Sequence, residues 1–321
     1  MSQIQKYSTR EYPSVSVIII TLNEEENIGQ LLKSLQRQTI KPYEIIVADA
    51  NSTDKTRAIA RSYNTIIVPG GNSPTQGRNY GAKYAKGDWF LFLDADAIIK
   101  PDFIEKSLQY VLSKKKDVVA YNLTPSTQKK IDKILLNSLN IYFNLLKEFW
   151  PQGVGVGIFC KRNIFEKIKG FDESIELGED MDFVRRAGKV GSFGMVPKVR
   201  ITFSMRRFEE DGRLKMTART IAAGVYRIFI GEIRNKKVQS KIINYENRKE
   251  WLENVETKKK KKELRSKKIK TFLQNKLVNV AKYRLEVIKY KTKIHRYKSE
   301  IAKYRRRLSK LRTKKNKRKL K

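Results

Sequence analysis

The chain opens its readable part with "VSVIII" (15–20), a β-branched run that stops at polar "TLNEEEN"; Ile28, Leu31, Leu32 and Leu35 then recur at helical spacing. "EIIVAD" (44–49) repeats the pattern, with Asn51, Ser52, Thr53 and Asp54 as turn and cap formers before a helix from about Lys55. "NTIIVPG" (64–70) predicts a third strand, the following loop leads into a helix near 77–86, and "WFLFLD" (89–94) predicts a fourth strand. Strand and helix alternating over a hundred residues imply an α/β fold with parallel strands. In such sheets ligands bind at the carboxyl ends of the strands. Thr21, Asn23, Glu24, Asp49, Asn51, Asp94 and Asp96 all follow strands directly, so they should converge on one edge.

Further along, "IDKILLNSLNIYFNLLKEFW" (131–150) carries no charge between Lys133 and Lys147. It predicts a helix buried against the sheet or, alternatively, an apolar wall for a lipid-linked acceptor or a membrane surface. "PQGVGVGIFCKRNIFEKIKGFDE" (151–173) joins a Gly-rich segment to a strand and a helix, and "LGEDMDFVRRAGKVG" (177–191) predicts a helix whose acidic first turn faces a polar site. A further helix is expected through 217–233. From Leu273 to Leu311, twelve positions at alternating spacings of three and four are apolar or Tyr except Lys276, a heptad seam that predicts a coiled coil or long amphipathic helix.

Charge divides the chain. Residues 1–231 carry 35 Lys and Arg against 25 Asp and Glu; residues 232–321 carry 35 against 8, net +27. The organisation expected is an N-terminal tail (1–12), an α/β domain (13–215), a helical linker (216–250) and a Lys/Arg-rich long helix or coiled coil (251–321). So basic a helix repels its own copies at low salt and suits an anionic membrane surface, with nucleic acid as the rival partner and self-association through the seam as a third. The lone Cys160 excludes an internal disulfide, and the only histidine, His295, lies in the tail, so no zinc cluster forms. Neither a signal peptide nor a transmembrane run is expected, which implies a cytoplasmic protein with at most peripheral membrane contact.

Asp94 and Asp96, one residue apart at a strand end, suit Mg²⁺ or Mn²⁺ and through it phosphate oxygens. Arg78 offers a forked donor to a phosphate or pairs with a carboxylate; Arg206 and Arg207 suit a leaving diphosphate or are surface charges. In the pair Glu179 and Asp180, one carboxylate can be a general base, unless Arg185 and Arg186 merely neutralise both. No nucleophile elbow or Walker phosphate loop is present, and "GVGVG" (153–157) lacks the dinucleotide pattern.

Together "VSVIIITLNEEENI", "EIIVADANSTDKT", "QGRNYGAKYAKGDWFLFLDADA" and "GFDESIELGEDMDF" resemble, in order and spacing over about residues 13–210, the family 2 glycosyltransferases, inverting enzymes of GT-A fold with a Rossmann-like mixed sheet. The resemblance implies sugar transfer from a nucleotide-diphosphate donor to a hydroxyl of a glycan, lipid-linked or protein acceptor. By it, Thr21 and Glu24 flank the nucleoside, Asp49 bonds the base, and Arg78 approaches base or diphosphate. Asp94 meets ribose or metal-bound water, Asp96 ligates Mn²⁺ or Mg²⁺, Asp180 is the base, and Glu179 orients it or the acceptor. Two features depart from the family: Asp49 is followed by Ala50 and Asn51 rather than Asp-Gly, and no histidine is available as a further metal ligand, so Ser204 or water would replace it. A polyprenyl-phosphate sugar synthase of the same fold is the alternative acceptor reading. A catalytically retired scaffold presenting a basic tail is the alternative of another class.

Overall fold

The computed structural model describes residues 12–234, together with Lys289; the heptad seam, His295 and most of the basic tail lie outside the described residues. The chain divides into two units, Met1–Tyr245 and Glu246–Lys321, and every element described here belongs to the first.

Four strands follow the predicted alternation: β1 (Val15–Thr21), β2 (Glu44–Asp49), β3 (Ile66–Pro69) and β4 (Trp89–Asp94), with helices α1 (Ile28–Gln36), α2 (Thr56–Ser62) and α3 (Pro74–Tyr84) between them. Then come α4 (Phe103–Ser113), β5 (Val118–Pro125), α5 (Lys130–Leu146), β6 (Gly157–Lys161), α6 (Arg162–Lys167), α7 (Glu179–Val190), β7 (Phe193–Phe203), α8 (Arg206–Glu210) and α9 (Arg213–Phe229). The seven strands form one sheet in the order β3-β2-β1-β4-β6-β5-β7. The first four are parallel as predicted, whereas β6 runs antiparallel between β4 and β5, so the sheet is mixed, as in the GT-A fold.

Successive side chains on a strand point to opposite faces, so both faces of the nearly continuous apolar strands are covered. On one face Val17, Ile19, Leu91 and Leu93 pack with Leu31 and Phe103 of the α1 and α4 side. On the other, Ile18, Phe90 and Phe92 meet Phe171 and Phe183, whose rings stack at 4.0 Å.

Where β6 stops pairing with β5 beyond Ala120, α5 supplies the missing neighbour. Asn140 accepts from the Leu123 amide and donates to the Leu123 carbonyl, both at 2.8 Å and both buried. The helix expected to lie buried is thus buried along one line only: Asp132, Leu136, Asn140 and Phe143. Asn140→Leu leaves both Leu123 groups without their partner, and a loss of about 2–4 kcal/mol in urea unfolding is expected.

Candidate active site

Strand register builds the edge. β1 and β2 pair Thr21 with Asp49, while β1 and β4 pair Ile20 with Asp94. Asp49 is buried, and its carboxylate accepts from Thr21 Oγ1 at 3.0 Å, from the Ser52 amide at 3.0 Å and from Ser52 Oγ at 2.5 Å. Asn23 and Asn51 both take left-handed backbone, with φ of 55° and 58°, a conformation that Asn tolerates better than most residues. Asn23 in turn donates from its amide to Ser52 and accepts from the Thr53 amide, so the loops after β1 and β2 are locked together. Asn51 therefore provides the turn for which the family more often uses an Asp-Gly pair.

Arg78, on α3, is buried with its fork spread between two carboxylates: Nη2 to Asp94 Oδ1 and Nη1 to Glu179 Oε1, each 3.0 Å. Burial disfavours its charge, but Asp94, Glu179 and Asp180 outweigh that and raise its pKa. Of the two readings of Arg78, phosphate donor or carboxylate partner, the structure holds the second: the residue is a clamp joining the β4 end to the start of α7. Its Nε remains without a hydrogen-bond partner among the described residues.

Gly178, at φ 79°, turns the chain into α7, whose first turn holds Glu179, Asp180 and Asp182, favourable for the helix dipole. Asp180 accepts from the Gly155 amide at 2.6 Å and from its neighbour Met181 at 2.7 Å. Burial and then the Glu179 charge push its pKa up to about 6, against the pull of Arg78 and the two amides. Neutralisation by Arg185 and Arg186 does not occur, because both pair with Asp182 instead, at 3.2 and 2.6 Å. Asn79 fastens the preceding loop by accepting from the Phe171 amide and donating to the Phe171 carbonyl, both at 2.9 Å.

Glu24 accepts from Arg206 at 3.1 Å and from Asn27 at 2.6 Å, which brings α8 to the β1 loop; Arg207 is exposed. Ser204 Oγ faces the Arg206 amide at 3.4 Å. Asp96 is half-buried, and burial with repulsion from Asp94 and Glu24 raises its pKa, while Arg206 and Arg207 lower it. Among the described residues no group of three His, Cys, Asp or Glu side chains is arranged to hold a metal. Crowded carboxylates without a closed cage fit a hard cation that completes its shell with water and substrate phosphate, as Mg²⁺ commonly does.

Three residues contribute contacts that the sequence motifs do not assign to them. Gly155 comes from the discounted "GVGVG" segment; a Cβ there would lie 2.4 Å from Arg78 Nη2, so a glycine lets its amide reach Asp180 beside the guanidinium. Ser52 and Asn79 work through loop contacts that only the fold creates.

Residues 16–168 match the family model described as Glycosyl transferase family 2. Among curated relatives, an uncharacterized glycosyltransferase of Haemophilus influenzae is 28% identical over 193 residues, 56% of this chain and 63% of the relative. One of Rickettsia typhi is 29% identical over 191 residues, 53% of this chain and 57% of the relative. The chain thus spans less than two thirds of the length of either. Among solved structures, a Pyrobaculum calidifontis mannosyltransferase, PcManGT, in complex with GDP-Man and Mn²⁺ superposes with a TM-score of 0.53 at 19% identity, covering 65% of this chain and 61% of that one. S. aureus TarS in complex with UDP-GlcNAc gives 0.50 at 22% identity, covering 72% and 70%. The fold is GT-A. Over residues 16–168 the chain is similar to glycosyl transferase family 2.

Proposed function

We propose that the protein is an inverting glycosyltransferase that moves a sugar from a nucleotide-diphosphate donor to an acceptor hydroxyl. The observation carrying this reading is the Arg78 clamp: one buried guanidinium fixes the strand-end carboxylate Asp94 and the base-motif carboxylate Glu179 at 3.0 Å each. It sets donor-side and acceptor-side chemistry at one edge. The solved relatives that hold GDP-Man and UDP-GlcNAc support a sugar nucleotide as donor.

Asp180 takes the proton of the acceptor hydroxyl as that oxygen attacks the anomeric carbon. The bond from that carbon to the diphosphate breaks on the opposite face, and its electron pair leaves with the diphosphate. Arg206 and Arg207, whose charges act on Asp96, would favour the departure of that diphosphate. Asp96, with Asp94, would hold Mg²⁺ or Mn²⁺, which when bound supplies Lewis-acid charge to the leaving diphosphate.

The test is nucleoside diphosphate release by the full chain from a panel of UDP- and GDP-sugars, with and without Mn²⁺. At least one donor should be turned over, and Asp96→Asn should remove Mn²⁺ stimulation by at least about tenfold. A panel in which no donor is consumed or stabilises the protein to heat would sink the reading.

A further inference from the structure

The end of α9 and residues 230–234 lie beyond the stretch that carries the family resemblance, yet they fasten the loop that leads into α7. Ile233 is 1% exposed, and its carbonyl accepts from the Glu176 amide at 2.8 Å. Leu177 pairs with the same residue as an antiparallel bridge. Arg234 adds a third hold, donating to Asp172 at 2.8 Å and to Ser174.

Arg227 extends the contact into the helix itself. A Cβ on Gly178 would come within 3.1 Å of Arg227 Nη1, so the guanidinium covers the residue that turns the chain into α7. The same nitrogen reaches Met181 Sδ at 2.7 Å. Arg227 Nε donates to Glu232 at 2.9 Å, and Glu232 also accepts from Arg185, one turn along α7 from Met181. Only 7% of the Arg227 side chain and 9% of the Glu232 side chain are exposed. Burial disfavours the Glu232 charge, but hydrogen bonds from Arg227 and Arg185 outweigh that and lower its pKa, so the bridge is ionised at neutral pH.

These contacts bracket Asp180. The chain is held at Asp172, Glu176, Leu177 and Gly178 before it and at Met181 and Arg185 after it. Glu179 and Asp180 themselves meet Arg78 and the Gly155 amide. A carboxylate in the first turn of a helix goes where the entering chain puts it. Here that chain enters through a left-handed glycine, the residue with the fewest steric limits on its course, so the restraint has to come from outside the loop. Misplacing a reacting group by about 1 Å can cost about 10²-fold in rate, which gives such a restraint a catalytic consequence.

We propose that residues 227–234 act as a strap that positions Asp180, with Arg227 and Glu232 as its positioning residues. This rests on the sugar-transfer reading for the role of Asp180 and adds to it a part of the chain outside the motifs. The strand-end edge is built by β1, β2 and β4, whereas the strap holds the loop before α7 and α7 itself. Loosening the strap therefore slows transfer without weakening the binding of the sugar nucleotide.

The experiment uses the full chain with Glu232→Gln, which keeps the side chain's shape but removes the counter-charge of Arg227, and with Arg234→Ala, a milder change at an exposed position. Amide exchange is read first, with no substrate present. Glu232→Gln should speed exchange of the Glu176 amide and of the Gly155 amide, which donates to Asp180, each at least about tenfold, with the β1 and β4 amides unchanged. Arg234→Ala should move the same two amides by less. With a donor that the parent turns over, kcat for transfer should fall about 10–10²-fold in Glu232→Gln while donor Kd stays unchanged. Gly155 protection that survives while Glu176 exchanges faster overturns the proposal, since the strap would then have no hold on Asp180. So does an unchanged kcat, or a loss of kcat matched by an equal loss of donor affinity. If the β1 and β4 amides also exchange faster in Glu232→Gln, the whole fold has loosened; Arg234→Ala then decides, and unchanged Gly155 protection there overturns the proposal. A parent chain that consumes no donor sinks the sugar-transfer reading instead, and the Gly155 result still decides for or against the strap.

Discussion

Asp180→Asn lowers turnover about 10²–10⁴-fold while leaving donor affinity close to that of the parent chain, the expected signature of losing a general base. The amide keeps the shape and can still accept from Gly155, so the loop is preserved and only proton acceptance is lost. The parent's pH profile carries a second sign of the same group. Asp180 must be ionised to act, and burial beside Glu179 pushes its pKa up to about 6. Activity should therefore be low below that pH, rise through it and level off above, where the carboxylate is fully charged. The check is single-turnover transfer from pH 5 to 8, alongside donor titration by calorimetry. Full turnover in the variant would remove Asp180 from the role.

Arg78→Met has the second large effect, and it appears in stability as well as rate. Removing one partner of a buried ion pair leaves uncompensated charge and costs about 3–5 kcal/mol. The lower end is expected here, because Asp94 reaches solvent with 35% of its side chain while Glu179 is more enclosed at 17%. Without the guanidinium, Asp94 and Glu179 repel across the gap, and Asp180 loses the charge that opposes its neighbours. Its pKa then rises, and the lower limb of the pH profile moves to higher pH. Arg78→Lys should recover part of the stability but little of the geometry, because an ammonium cannot span both carboxylates as a planar fork does. Urea unfolding and the pH profile of the two variants measure both parts.

The strand-end edge is legible in the sequence because its causes are local. Apolar strands stop at Thr21, Asp49 and Asp94, parallel pairing puts strand ends level, and the convergence follows. Arg78 is legible as a cation but not as a buried clamp, since its partner Glu179 lies 101 positions away. Gly155 fails for a similar reason: its value depends on the course of Arg78, which no glycine spacing encodes. The reading of α5 as simply buried went astray because low charge reveals that a helix meets something apolar, not on which side. Asp132 and Asn140 point inward only because Arg213 and the end of β5 wait for them there. Strand-helix alternation alone predicts parallel neighbours, so the antiparallel β6 is expected only through the mixed sheet that the family resemblance implies; its insertion follows from the return after α5.

The distance along the chain between Arg78 and Glu179 also sets a timetable for birth of the protein. At about 5–20 residues per second, ribosomes need roughly 5–20 s to make the 101 positions that separate them. For that interval the nascent parallel sheet has Asp94 as counter-ion but not Glu179. A guanidinium with half its partners is costly to bury, so the final closure of α3 onto the sheet should await the emergence of α7, and the strand-end edge and the first turn of α7 mature together.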